Sequence, residues 1–319
     1  MTKQPRVPVV VAIDGGGSKT DVAIVDVETG EVLGRHRGPG SSHHEIGLDL
    51  ALTVLDESVQ AAMAAAGSSP SDVIHAGCYL TALDLPQESV EMAARLRATS
   101  WGARSVTADN DVFALLRAGT ESPNAVGVIC GTGMNGIGIR ADGEVARILA
   151  LGHLSGDWGG GSGIAEDILW HAARAEDGRG EPTLLRDALL QWTGRNSIHD
   201  VIVDVHLGRL SAAQWWSKVP EVFALAAAGD AVAAELVRRQ GSEIAVLAAS
   251  LLTRLRLLDR DVPVVLGGGI AASNDPLILL AITSTLAEQA PRGIPVVSVE
   301  PPITGAIRLA LASGRDLLS

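Results

Sequence analysis

Short apolar runs, each ended by glycine or by polar residues, dominate the first part of the chain. The runs cover 7–13, 21–26 and 32–37, with a triple glycine after the first and Glu-Thr-Gly after the second. Runs of this length between turn-forming residues are typical of β-strands. The pattern therefore predicts three strands, the first two joined as a hairpin through residues 15–17.

Beyond a polar loop at 38–47, apolar residues recur at helical spacing over 48–66 until Gly67 interrupts them. Such spacing predicts an amphipathic helix, and glycine is common just past a helix end. The same criteria predict further strands at 73–79, 105–108, 125–130, 137–140, 144–149, 263–266 and 295–299. Further helices are predicted at 87–97, 112–118, 159–175, 182–192, 219–228, 231–257, 275–290 and 302–312.

The order of strand, glycine turn, strand, turn and strand occurs twice. Thr-Gly-Glu-Val at 29–32 matches Asp-Gly-Glu-Val at 142–145, at equivalent places in the two copies. A repeated unit of strands followed by helices predicts two related α/β domains. We place the smaller domain at 1–118 and the larger at 119–301, and we expect a last helix within 302–317 to pack back on the first domain.

Composition supports a large buried core. The chain has 319 residues, of which 47% are hydrophobic and 19% charged, and its formal net charge is −12. This acidity disfavours binding to nucleic acids or anionic membranes, since their phosphates repel it. Segment 1–5 lacks the apolar core of a signal peptide, and the apolar stretch 244–252 is too short to span a bilayer. A cytoplasmic location is therefore expected.

The segment Asp-Gly-Gly-Gly-Ser-Lys-Thr at 14–20 carries more glycine than a hairpin needs. Glycine lets another group approach the main chain closely, and main-chain N–H groups, hydroxyls and an ammonium all donate to phosphate. Asp14, at the end of its strand, is placed to hold Mg²⁺ directly or through water. A glycine-rich turn without a ligand is the alternative. The candidate phosphate contacts are Gly15, Gly16, Gly17, Ser18, Lys19 and Thr20.

Two more glycine segments follow predicted strands, at 131–136 and 267–269. The first fits the GxGxxG string of dinucleotide-binding folds, but that fingerprint opens a helix, and here a strand is predicted next. The P-loop string is absent too, because Ser18 rather than glycine precedes Lys19. Three glycine turns at strand ends, two of them in repeated units, indicate a nucleotide site of another type.

These motifs resemble those of a known superfamily. Asp-Gly-Gly-Gly-Ser-Lys-Thr-Asp at 14–21, Cys-Gly-Thr-Gly-Met-Asn-Gly at 130–136 and Leu-Gly-Gly-Gly-Ile-Ala at 266–271 are similar to the phosphate-1, phosphate-2 and adenosine motifs of actin/hexokinase/Hsp70 ATPases. Two further stretches, 107–111 and 152–162, resemble its N-acetylglucosamine kinase branch, the BadF/BadG/BcrA/BcrD ATPase family. The resemblance implies two ribonuclease-H-like domains of α/β class, with ATP and Mg²⁺ in a cleft between them.

The resemblance also implies roles for single residues. Asp109 matches the catalytic base, and the chemistry agrees, because a sugar hydroxyl is a poor nucleophile that must lose its proton. The alternative role of Asp109 is a helix cap, although Asp111 suits that role better. The implied phosphate and adenosine contacts are Gly131, Thr132, Gly133, Gly268, Gly269 and Ile270. The implied sugar contacts are Ser42, His43, Asp109, Asn110, Met134, Asn135 and Asp157.

The loop around His43 and His44 departs from the branch, because Ser42 stands where an asparagine is usual. This departure leaves the identity of the sugar open. Either histidine can touch the sugar or lie on a solvated surface. A metal site is not expected here, since no third ligand lies nearby in sequence.

The residues and the resemblance together predict a kinase that transfers the γ-phosphoryl group of ATP to the 6-hydroxyl of an amino sugar, with N-acetylglucosamine as the expected acceptor. The resemblance also implies a homodimer. Glucosamine, glucose and a mannosamine are alternative acceptors. A different class, the ATPase activator of a radical dehydratase, needs cysteines for an iron–sulfur cluster, and the chain has only Cys78 and Cys130, both on predicted buried strands. A sugar sensor without catalysis is a third class, and Asp14, Asp109 and Asp157 argue against it.

Overall fold

The computed structural model describes residues 7–101 and 103–319. Segment 1–5, in which no signal-peptide core was recognised, lies outside these ranges. Within them the chain forms two compact units, of which the first comprises the residues up to Gly127 together with Ser298–Ser319 and the second comprises Val128–Val297. None of the helices in the described ranges combines the length and the apolar character needed to cross a membrane.

Strands and helices alternate along both units. The strands are β1 Val9–Gly15, β2 Lys19–Asp26, β3 Val32–Pro39, β4 Val73–Leu80, β5 Ser105–Asn110, β6 Ala125–Cys130, β7 Met134–Ile139, β8 Val145–Arg147, β9 Val262–Gly267 and β10 Gly293–Val297. The helices are α1 His43–Ile46, α2 Leu48–Ala66, α3 Pro86–Arg97, α4 Val112–Gly119, α5 Gly160–Glu176, α6 Leu185–Thr193, α7 Ile198–His206, α8 Val219–Ala227, α9 Ala231–Arg254, α10 Gly268–Ala271, α11 Pro276–Gln289 and α12 Pro302–Asp316.

The first unit is built on a mixed sheet of order β3-β2-β1-β4-β5. β1 pairs antiparallel with β2 and parallel with β4, and β4 pairs parallel with β5. The carboxyl ends of β1, β4 and β5 therefore lie at one edge of the sheet, where Asp14, Tyr79 and Asp109 are register neighbours. The carboxyl ends of parallel strands are where ligands bind in open α/β sheets.

β1 is buried along its whole length because helices cover both faces of the sheet. Successive residues of a strand point to opposite faces. Val11 and Ile13 belong to a cluster that includes side chains of α2 and α3, whereas Val10 and Ala12 pack with side chains of α4 and α12. The C-terminal helix is therefore part of the core of the first unit.

A glycine lets α12 lie directly against α4. A Cβ atom at Gly305 would fall 1.9 Å from the carbonyl oxygen of Ala114 and 2.5 Å from the backbone nitrogen of Ala118. No side chain fits at that distance, so this helix contact requires glycine. The contact holds α4 in place, and α4 begins directly after the polar residues at the end of β5.

The second unit has a sheet of order β10-β9-β6-β7-β8. The long helix α9 packs against α11 and β7. The buried residues of α9 are apolar or glycine apart from Gln240, which is fully buried. A buried amide must find hydrogen-bond partners, and those partners lie in the candidate site.

The α/β class and most predicted elements are confirmed, with ends shifted by a few residues, whereas three local predictions are wrong and one helix was not predicted. The polar loop 38–47 contains α1, and the third glycine turn opens α10; both are single turns of helix, too short to show apolar periodicity. The turn at 131–136 ends early because β7 begins at Met134. α7 was not predicted, although Ser197 caps it by accepting from the Asp200 N–H.

Candidate functional site

Asp14 lies at the carboxyl end of β1 and is 9% exposed. Burial and the nearby Asp21 raise its pKa to about 7, against the opposing charges of Lys19 and Arg37. A nearby cation favours the ionised form of such a carboxyl, and carboxylate oxygen is a ligand that Mg²⁺ prefers. The environment of Asp14 therefore suits a metal ligand.

Charged side chains flank the glycine loop of the first unit. The Gly16 N–H donates to the carbonyl oxygen of Lys19 at 2.9 Å, which closes the loop. Lys19 Nζ lies 3.2 Å from Asp21, and Arg37 binds the same carboxylate through two N–H groups at 2.6 and 3.0 Å. Burial opposes ionisation of Asp21, but these hydrogen bonds prevail and lower its pKa. Asp21 thus holds two cations beside the loop.

Thr20 and Ser42 are buried, unlike the exposed Ser18. The Thr20 hydroxyl lies 2.7 Å from the carbonyl oxygen of Pro39 and 2.9 Å from Ser41 Oγ. A hydroxyl engaged in this way anchors the glycine loop to β3 and is not presented to a ligand. Ser42 is 3% exposed and stands at the N-cap position of α1.

His43, another predicted sugar contact, lies in α1 and is partly buried. Burial lowers its pKa, and the adjacent His44 acts in the same direction. Its Nδ1 atom is buried and makes no hydrogen bond within the described ranges. The imidazole is therefore neutral near pH 7 and has unused bonding capacity.

The junction between β5 and α4 carries three polar residues in a row. The backbone N–H of Asn110 donates to Asp109 at 2.8 Å, and the Asn110 side-chain amide donates to Asp84 at 2.9 Å. Asn110 Oδ1 accepts from the Val112 N–H at 3.0 Å. Asn110 therefore caps α4, whereas Asp111, at the N-cap position, makes no side-chain capping bond. Asp111 thus holds the expected N-cap position, and Asn110 accepts the Val112 N–H beside it.

Asp111 has the electrostatic environment of a functional carboxyl. Burial raises its pKa to about 7, and the carboxylates of Asp14 and Asp84 add to the shift. A general base works best when its pKa lies close to the working pH. The signal that could have identified Asp111 in the sequence is its position just past the end of β5, at the entry to a helix.

In the second unit, residues 131–133 form a tight turn between β6 and β7. The Gly131 N–H donates to the carbonyl oxygen of Gly133 at 3.0 Å, and N–H groups at the start of α5 donate to the carbonyl oxygens of Gly131 and Thr132. A Cβ atom at Gly131 or Gly133 would meet nothing within 4 Å. The main chain of the turn is therefore held in place yet open to the approach of a phosphate.

The start of α10 lies against the end of β6. Gly268 has a φ of 80°, and a Cβ atom there would lie 2.4 Å from the carbonyl oxygen of Cys130. Gly269 is exposed, with nothing within 4 Å of its Cβ position, and Ile270 is 8% exposed. The fold thus brings two of the three predicted glycine segments together within one unit.

Gln240 on α9 connects several elements of the second unit. Its amide nitrogen lies 3.0 Å from Met134 Sδ, and its oxygen accepts from the Gly160 N–H at 2.8 Å. Gln240 therefore ties β7 to the first residue of α5. The neighbouring Asn135 is 8% exposed, and its Oδ1 accepts from the Gly136 N–H at 2.6 Å. Gln240 was not predicted, although a polar residue amid the apolar positions of a long helix was a usable signal.

Asp157 borders a cavity of about 160 Å³ within the second unit. Its Oδ2 accepts from the Ser155 hydroxyl at 2.5 Å, which fixes the carboxylate. Glu243 is a second acid of the cavity: burial raises its pKa, Arg239 opposes the shift, and Asp157 adds to it. The apolar part of the lining comes from Met134, Ile148, Trp158, Val246 and Leu247.

Comparison with known families and proteins gives consistent matches. The model of the BadF/BadG/BcrA/BcrD ATPase family matches residues 11–311. An N-acetyl-D-glucosamine kinase of Dictyostelium discoideum is 28% identical over 269 residues, which cover 81% of this chain and 84% of the relative. An N-acetylmuramic acid/N-acetylglucosamine kinase of Clostridium acetobutylicum is 25% identical over 262 residues, which cover 82% and 85%.

Solved structures share the fold. A protein from Chromobacterium violaceum, provisionally assigned as an N-acetylglucosamine kinase, superposes with a TM-score of 0.73 at 22% identity, over 96% of this chain and 100% of its own. A ROK family glucokinase from Streptomyces griseus, solved with glucose and AMPPNP, gives a TM-score of 0.53 at 16% identity, over 95% and 99%. These similarities confirm the predicted fold class.

Proposed function

The chain belongs to the BadF/BadG/BcrA/BcrD ATPase family, and from this membership we propose that it is an ATP-dependent kinase of an N-acetylated amino sugar. The phosphoryl group goes to the 6-hydroxyl, with N-acetylglucosamine as the principal acceptor. The names of both relatives include N-acetylglucosamine kinase. The observation that carries the proposal is a glycine loop that begins directly after Asp14, together with a second carboxyl, Asp111, just past the end of β5; the pKa of both carboxyls is raised.

The nucleotide is assigned to the three glycine segments. Residues 15–19 and 131–133 contact the phosphates, and Gly268–Ile270 lie against the adenosine. Asp14 is the proposed Mg²⁺ ligand, because its raised pKa reflects a buried negative charge that a cation would stabilise. Mg²⁺ bound there would neutralise charge on the transferring phosphoryl group. Thr20 supports the loop rather than the phosphate, since its hydroxyl is buried.

Two carboxyls at the junction of β5 and α4 are candidates for the base. Asp109 matches the family motif, whereas Asp111 has the pKa that a base needs near neutral pH. The bonds from Asn110 to Asp84 and to the start of α4 hold this segment in place. Asp111 is therefore the group that takes the proton from the sugar hydroxyl, and Asp109 is a substrate contact.

The acceptor is inferred from the cavity beside Asp157. A fixed carboxylate accepts hydrogen bonds from sugar hydroxyls, and apolar walls suit the methyl group of an acetamido substituent. Glucosamine is the second candidate, because Asp157 and Glu243 together would attract its ammonium group. The proposed sugar contacts are Ser42, His43, Asp109, Asn110, Met134, Asn135 and Asp157.

The test is ADP release from ATP and Mg²⁺ with N-acetylglucosamine, glucosamine, glucose, N-acetylmannosamine or no sugar. We expect turnover with N-acetylglucosamine, and its loss in Asp111→Asn while nucleotide binding persists. A preference for glucosamine would change the acceptor but keep the reaction. ADP release that ignores every sugar would contradict the kinase proposal.

The dehydratase-activator class is not favoured. Cys78 and Cys130 are both 0% exposed, and burial raises the pKa of each thiol to about 12. Iron–sulfur clusters are held by cysteine thiolates, which these thiols do not readily form. A homodimer and a cytoplasmic location stay proposals, and sedimentation and cell fractionation would test them.

A further inference from the structure

His43, His44 and Glu88 meet in the first unit although α2 separates them in sequence. One ligating atom of each residue lies within 4.8 Å of the others. His44 Nε2 is 3.5 Å from Glu88 Oε1, and the two imidazole ring centroids are 4.4 Å apart. The fold thus supplies the third ligand that the sequence does not place near the two histidines.

We propose that these three side chains bind a divalent transition metal ion, for which Zn²⁺ is the best match. Zinc binds histidine nitrogen and carboxylate oxygen at about 2.0–2.2 Å in tetrahedral geometry, so neighbouring ligand atoms lie roughly 3.3 Å apart. The separation of 3.5 Å between His44 and Glu88 is close to that value. Two histidines and one glutamate, with a fourth position left to water, form an established zinc ligand set. Mg²⁺ and Ca²⁺ prefer sites made of oxygen.

Glu88 is held by the backbone in an orientation that suits a ligand. Its Oε2 accepts from the N–H groups of Asp84 and Leu85, at 2.9 and 2.8 Å, just before α3. The other oxygen, Oε1, faces His44. Hydrogen bonds that fix a carboxylate in this way orient metal ligands and raise metal affinity.

His43 gives an independent indication. Its Nδ1 atom is buried and has no hydrogen-bond partner within the described ranges. Buried polar atoms are nearly always paired, so an unpaired one requires an explanation. A cation bound through Nδ1 would satisfy it. His44 is about half exposed, which gives an ion access from solvent.

Metal binding would strengthen a weakly held part of the first unit. α1 has four residues and buries none of them, so packing holds it little. An ion shared by α1 and Glu88 would fix α1 to α3 and stabilise the native state, because it binds the folded chain and not the dispersed ligands of the unfolded one. The proposal concerns this metal site alone and does not depend on the kinase function.

The experiment titrates chelator-treated protein with Zn²⁺ in competition with a chromophoric chelator, near neutral pH and in excess Mg²⁺. We expect one Zn²⁺ per chain and a rise in Tm at saturation. His44→Ala should weaken binding at least about tenfold, since losing a ligand should cost at least as much as losing a supporting residue. Glu88→Gln should do the same, while its amide oxygen still accepts the two backbone bonds and keeps α3 intact.

The matched control is His153→Ala. His153 lies 3.2 Å from Glu166 in an exposed pair that has the same two chemical groups but, among residues 7–101 and 103–319, is not part of a three-residue cluster. Its substitution should leave zinc affinity and the rise in Tm unchanged. Absence of stoichiometric zinc binding, or wild-type affinity in both His44→Ala and Glu88→Gln, would overturn the proposal.

Discussion

The two units repeat one plan of strand, glycine turn and strand, yet they place different chemistry at the turn. In the first unit, Lys19 and Asp21 flank the loop, and Asp14 and Asp111 have pKa values near neutrality. In the second, main-chain N–H groups and the neutral amide of Gln240 hold the elements around residues 131–133. Both units therefore keep a glycine turn between two strands, whereas the ionisable groups beside the turn belong to the first unit.

The largest expected effect distinguishes Asp111 from Asp109 as the catalytic base of the first unit. Asp111→Asn should lower kcat about 10²–10⁴-fold, because general base catalysis contributes that much. Asp109→Asn should act mainly on the KM for the sugar. Steady-state kinetics on both variants, with nucleotide affinity measured separately, makes the comparison. The reverse pattern, with kcat lost only in Asp109→Asn, would return the base role to Asp109.

The second effect concerns the backbone chemistry of the second unit. Gly268→Ala should lower the free energy of unfolding by about 2–4 kcal/mol, because its φ is 80° and the new Cβ would overlap the carbonyl oxygen of Cys130. Gly269→Ala is the matched control, with open space at its Cβ position, and should cost less than about 0.5 kcal/mol. Denaturant unfolding measures both. Equal stabilities would mean that glycine is not required at the contact between α10 and β6.

Much of the fold follows from the sequence because long elements carry strong periodicity. The helix at 48–66 and the strand at 125–130 have the predicted ends. α1 and α10 are too short for such a signal. The candidate site was harder to predict because Gln240 reaches it through tertiary packing, just as Glu88 reaches the two histidines of α1. The raised pKa of Asp111 arises from burial and from Asp14 and Asp84, which are distant in sequence.

The third effect tests whether a neutral amide is needed in the second unit. Gln240→Leu would remove the acceptor of the Gly160 N–H and the contact to Met134. A buried donor left unpaired costs about 1–3 kcal/mol, so the free energy of unfolding should fall by that amount. The sugar KM should rise too, since Met134 borders the cavity beside Asp157. Gln289→Leu, on the exposed end of α11, is the control and should change neither quantity. A wild-type KM in Gln240→Leu would separate this residue from sugar binding.

The smallest expected effect is a pH-dependent loss of folding stability caused by the buried carboxyl of Asp111 in the first unit. Burial raises the pKa of Asp111 from the ordinary 3.8 to about 7. Between these values the folded chain keeps the proton that the unfolded chain releases, so the contribution of Asp111 to stability falls as pH rises through this window. The penalty is absent below about pH 4 and complete above about pH 7. Asp111→Asn should therefore match the wild type in the free energy of unfolding at low pH and exceed it above neutrality. Asp316→Asn, at an exposed position near the end of α12, is the control. If the stability difference between Asp111→Asn and the wild type does not grow with pH, the ionisation of Asp111 does not destabilise the first unit.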